Sequence, residues 1–110
     1  MSAVIAEREL GYSNLVSTVP GRVVIEAPEP DQTDWRCFYS VSLPGMDFRR
    51  RTVGVDSFQA LQLAMVSAVS EIANSAAFKS GHLTVFGEPL LTIDDLKQCF
   101  GLPRLHGDAA

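Results

Sequence analysis

The sequence is poor in the residues that announce a chemistry. Its 110 residues include two cysteines, two histidines and one tryptophan. Small disulfide scaffolds are denser in cysteine, and Cys37 and Cys99 stand far apart in apolar surroundings, so they read as buried free thiols. His82 and His106 have no cysteine or acid at ligand spacing, whereas zinc takes three or four such groups; no metal and no cofactor is expected. Glycines occur singly, which excludes a phosphate-cradling loop, and Gly54-Val-Asp56 reads as the start of a helix. A Ser or Cys nucleophile needs a neighbouring base oriented by an acid, and no motif supplies one. No catalytic residue is assigned, and the expectation is that the chain is not an enzyme. No stretch approaches the ~20 apolar residues that cross a bilayer, and the first eight residues lack the basic region and apolar run of a signal peptide. These absences point to a cytoplasmic protein that makes no membrane contact.

What is present suffices for one core. Hydrophobic residues make up 46% of the chain, the ordinary globular share, which excludes disorder as a description of the whole. A chain of this length is one domain and buries roughly 65% of its unfolded surface. We expect an α+β domain over residues 1–103, with 104–110 a flexible tail. The net charge of −4 disfavours nucleic acid as a partner.

Alternation over residues 4–10 predicts a first strand, with Glu7 and Glu9 on one face and Ala6, Arg8 and Leu10 on the other. Gly11 to Gly21 reads as a loop in which Leu15, Val16 and Val19 could add a short strand. Arg22–Ala27 is a β-branched run stopped at Pro28-Glu-Pro30, and Glu29 to Asp34 reads as a solvated acidic loop. Trp35–Leu43 and Met46–Val55 then flank Pro44-Gly45. Proline presets the first φ of a type II turn and glycine accepts the positive second one, predicting a hairpin with Val41 opposite Phe48 and Tyr39 opposite Arg50. Its core face carries Trp35, Cys37, Tyr39, Val41, Leu43, Met46 and Phe48. The other face carries Arg36, Phe38, Ser40, Ser42, Asp47, Arg49 and Arg51.

Asp56 and Gln59 form a capping pair that opens a helix of about 22 residues. Phe58, Leu61, Met65, Val69, Ile72 and Ala76 recur at helical spacing as its expected sheet-facing stripe. Lys79 and Gly81 suit its end. His82–Phe86 reads as a last strand. Thr92 and Asp95 cap a short second helix with Ile93, Leu96 and Phe100 on one side, stopped by Gly101 and Pro103. The fold expected from these parts is an antiparallel β-meander of about four to five strands packed on one long α-helix, with a short C-terminal helix beside it.

Two groups of residues are candidates for contact. Within 57–78 the single formal charge is Glu71. A helix with water on its outer side usually carries charge there, so Leu63, Val66, Ser67, Ser70 and Asn74 are expected to lie against something. The first expectation is the chain's own segment Leu90 to Leu105; the second is a homodimer or another protein partner. The other group is Arg36, Arg49, Arg51 and Phe38, a basic-aromatic face able to take a small anionic ligand or stack a base. Glu7, Glu9 and Glu26 could instead pair with these arginines across the sheet, with an arginine over Phe38. Glu7 and Glu9 could also act as a carboxylate pair, although solvated strand charges are commoner.

Ile5-Ala-Glu-Arg-Glu-Leu10 and Gly54-Val-Asp-Ser-Phe-Gln-Ala-Leu-Gln-Leu-Ala64, with Ala27-Pro-Glu-Pro30 and Trp35-Arg-Cys37 between them, give the chain a resemblance to a family of small bacterial domains of unknown function. The likeness spans roughly residues 4–78 and implies a strand, a proline-bounded loop and a capped helix. It implies no catalytic residue. The leading functional expectation is therefore a non-enzymatic interaction module, possible as a homodimer. Anion or nucleic-acid binding is the alternative, and an enzyme whose groups converge only in space is third.

Overall fold

The computed structural model describes residues 3–14 and 16–101. It is an α+β fold whose sheet is antiparallel throughout. The strands are β1 (Val4–Ser13), β2 (Thr18–Glu26), β3 (Glu29–Asp31), β4 (Asp34–Leu43), β5 (Met46–Gly54), β6 (Leu83–Val85) and β7 (Glu88–Pro89). The helices are α1 (Ser57–Ala73), α2 (Ala76–Lys79) and α3 (Ile93–Cys99). Residues 102–110, including the expected tail, lie outside the described residues.

The seven-stranded sheet exceeds the expected four or five strands for local reasons. Gly11 to Gly21 is not a loop: β1 and β2 stay in register from Leu10–Gly21 through Ser13–Thr18. The turn between them is made by Asn14, whose side-chain Oδ1 accepts from the Val16 and Ser17 amides. The acidic segment after Pro28 forms β3, aligned on β4 with Glu29 opposite Arg36. Phe86 and Gly87 both have positive φ, giving the two-residue turn that folds β7 onto β6.

The β4–β5 hairpin has the register read from Pro44-Gly45, with Val41 opposite Phe48, Tyr39 opposite Arg50, and Gly45 at φ 80°. Arg36 pairs with both Glu29 and Val53, so β3 and β5 occupy opposite edges of β4. β2 meets β4 further along the β3 edge, from Arg22–Ser42 to Ile25–Tyr39. Across the sheet the order is β5, β4, β2, β1, β6, β7. One face packs on α1 and the other is open.

Asp56 caps α1 through its carboxylate, which accepts from the Gln59 amide at 2.8 Å, while Gln59 Oε1 accepts from the Val55 amide. Two expectations for this helix need correction. It ends at Ala73 rather than near Phe78, because Ser75 is extended and caps α2 by accepting from the Phe78 amide. The sheet-facing stripe is also rotated. Ala60, Ala64, Ala68, Val69 and Ile72 are buried, whereas Phe58 is 74% exposed and Ala76 is exposed. Leu61 and Met65 lie on one flank, partly buried.

Close approach explains the rotation. A Cβ on Gly54 would sit 2.5 Å from the Ala60 backbone nitrogen, and Thr52 Oγ1 donates to the Ala60 carbonyl at 2.8 Å. The i, i+4 row of alanines lets the helix backbone lie this near the strand. Val23, Ile25, Cys37, Tyr39 and Val41 complete the core beneath it. Full burial of a valine or isoleucine side chain contributes about 1.5–3 kcal/mol. α3 carries the expected Thr92–Asp95 capping box and buries Leu96 completely.

Candidate functional site

The open face of the sheet gathers the basic-aromatic residues as the strand alternation requires. Arg49 Nε and Nη2 donate to the two carboxylate oxygens of Glu26 at 2.7 and 2.8 Å, reaching across β4. The same guanidinium lies 3.8 Å above the Phe38 ring, with Arg36 at 5.7 Å. Arg36 donates to Glu29 at 2.7 Å and approaches Asp31 at 4.0 Å. The Arg49 hydrogen bonds hold the Glu26 carboxyl below its ordinary pKa, and they outweigh the opposing effect of burial. Arg51 is exposed and has no partner among the described residues. Of the expected anion contacts, Arg36 and Arg49 are thus committed to carboxylates, Phe38 lies beneath guanidinium, and Arg51, directly opposite Phe38, has no acid among the described residues. Glu7 is bridged to Arg22 at 3.3 Å, and Arg22 is the cross-strand neighbour of Glu9.

The outward face of α1 is the second candidate. Leu63 is 39% and Val66 47% exposed; Ser70 and Asn74 are exposed and Ser67 is half-buried. Phe58 in the first turn and Val55 just before the helix are exposed as well. Glu71 is turned away from it into an ion pair with Arg50, which also stacks 4.2 Å over Phe48. The expectation that the segment after Leu90 covers this face is not met among the described residues. Leu90 and Leu96 are buried, but α3 lies on the Leu61–Met65 flank, where Cys99 and Phe100 line a cavity with those two residues. Residues 102–105 fall outside the described residues.

The family model described as "Domain of unknown function (DUF6968)" matches residues 6–92. The chain belongs to this family. The match begins within β1, takes in β2 through β7 with α1 and α2, and stops at the cap of α3. No curated protein and no solved structure matches the chain. No helix among the described residues of this DUF6968 domain is long and apolar enough to cross a membrane.

One grouping of side chains escaped the sequence reading. Arg8, on the helix-facing side of β1, lines two adjoining cavities together with Cys99. Its guanidinium lies 5.1 Å over the ring of Phe86, in the β6–β7 turn. Arg8, Phe86 and Cys99 stand far apart in the sequence, so spacing carried no signal of their grouping.

Proposed function

We propose that this DUF6968 domain is a non-enzymatic interaction module that self-associates through the outward face of α1. The observation that carries the reading is a helix surface without charge, on which Leu63 and Val66 are exposed among Ser67, Ser70 and Asn74. Leu63 and Val66 face outward, Phe58 is exposed in the first turn, and the helix's one acid is paired with Arg50. A two-fold contact places the same patch on both partners, so a charged patch would oppose itself. The α1 face avoids this, and its serines and Ala73 permit close helix approach. The β5 edge does not avoid it: antiparallel pairing of two β5 strands centred on Arg50 would set arginine against arginine.

Light scattering after size exclusion at high micromolar concentration is expected to give the dimer mass. Val66→Glu is expected to give the monomer mass with the circular-dichroism spectrum of the wild type, and a urea midpoint that no longer depends on protein concentration. A monomeric wild-type chain overturns the reading, as does a Val66→Glu variant that remains dimeric.

A further inference from the structure

We propose that the groove between β1, α3 and the β6–β7 turn is a binding site for a small amphipathic carboxylate, with Arg8 receiving the carboxylate. It does not rest on the self-association reading and lies on a different surface.

The inner cavity, about 230 Å³, is walled by Val23 and Ile25 of the sheet, Leu61 and Met65 of α1, and Phe100 beyond α3. The outer cavity, about 300 Å³, lies between the β6–β7 turn and α3. Together they fall in the range of small-ligand sites, which are mostly apolar with a few placed polar groups. Arg8 and Cys99 line both.

Arg8 is half-buried, yet no carboxylate among the described residues forms an ion pair with it. Arg22, Arg36, Arg49 and Arg50 each have an acid. A guanidinium removed from water favours a carboxylate, which it can hold by two parallel hydrogen bonds. The three acids that line the groove do not take that place: Asp95 Oδ2 accepts from the Leu91 and Thr92 amides, Glu88 is exposed in the outer cavity, and Glu7, at the inner one, is paired with Arg22. Asp95 and Glu88 disfavour an anion in the outer cavity, so the carboxylate belongs at Arg8 and its chain runs inward, toward Leu61 and Met65.

Phe86 supports the assignment. A bulky side chain at φ 51° is conformationally costly, and glycine or asparagine would serve the turn better. The phenyl ring at this position instead lies under the Arg8 guanidinium and walls the groove.

The test is calorimetric titration of the full chain with decanoate below its micellar concentration, with decylammonium as the opposite-charge probe. Decanoate is expected to bind and decylammonium not. Arg8→Gln should weaken decanoate at least tenfold, and Arg8→Lys should recover part of the loss. Decanoate should also slow modification of Cys99 by a thiol reagent, a readout independent of heat. Absence of decanoate binding overturns the proposal. So does equal binding by Arg8→Gln with Cys99 unprotected, or equal binding of both probes. Circular dichroism of each variant verifies the fold, and Met65→Trp, which fills the inner cavity from a different element, is expected to abolish binding as well.

Discussion

Arg49 and Glu26 sit on β5 and β2 and meet over β4, the guanidinium gripping both carboxylate oxygens while resting on Phe38. Glu26 is buried and charged, so its stability depends on this one partner. Its folded pKa lies below the ordinary glutamate value, chiefly through the hydrogen bonds from Arg49. A depressed pKa means that the unfolded chain takes up the proton more readily. The pair therefore contributes in full above the unfolded value of about 4.3 and loses that contribution as pH falls through the lower folded value. Urea midpoints between pH 7 and pH 3 are expected to fall more steeply for the wild type than for Glu26→Gln. Parallel curves would show that the pair is not a source of acid sensitivity.

Gly54 gives a steric prediction. Its missing side chain admits the first turn of α1, with the Ala60 nitrogen 2.5 Å from the place a Cβ would take. The contact is backbone, so no side-chain rotation relieves it. Gly54→Ala is expected to cost about 1–3 kcal/mol as an overpacking change. Gly45→Ala is the comparison: its space is open and the strain comes from φ 80° alone. Equilibrium urea unfolding measures both. A neutral Gly54→Ala would mean that α1 lies further from β5.

The two thiols are expected to behave differently. Cys37 is fully buried under α1, and burial pushes its pKa up to about 11, with the charge of Glu26 adding to the effect. Cys99 is half-buried beside the groove; burial raises its pKa and Arg8 opposes the shift. Thiolate is the reactive form. At pH 8 a thiol reagent should label Cys99 in the native protein and reach Cys37 only on unfolding. Mass spectrometry of the labelled peptides reads this directly.

The parts legible in the sequence are those whose cause is local. Pro44-Gly45 determines a hairpin register by turn geometry, and Asp56 with Gln59 or Thr92 with Asp95 starts a helix within four residues. Alternation likewise placed Arg36, Phe38, Arg49 and Arg51 on one face, with Glu26 within reach. The face of α1 that meets the sheet was not legible. It depends on how near the helix lies, which Gly54 and the alanine row decide together, and a count of large apolar residues favours Phe58 instead. The end of α1 turned on Ser75 choosing to cap α2. The Arg8 groove needs β1, the β6–β7 turn and α3 to converge, and no single stretch of chain carries that information.

Phe86 supplies a prediction of opposite sign to the others. It occupies the first central position of a two-residue turn with φ 51°, where a side chain with a branched or bulky body pays for the left-handed conformation. Asparagine tolerates that region, and the ring is 82% exposed, so its removal opens no core cavity. Phe86→Asn is therefore expected to raise stability by about 1 kcal/mol, read as a higher urea midpoint at unchanged slope. Decanoate affinity should fall in the same variant, because Arg8 loses the ring beneath it and the groove loses a wall. Stability gained together with binding lost is the pattern expected where strain is kept for a site. A Phe86→Asn variant with higher stability and unaltered affinity would assign the phenylalanine no part in the groove.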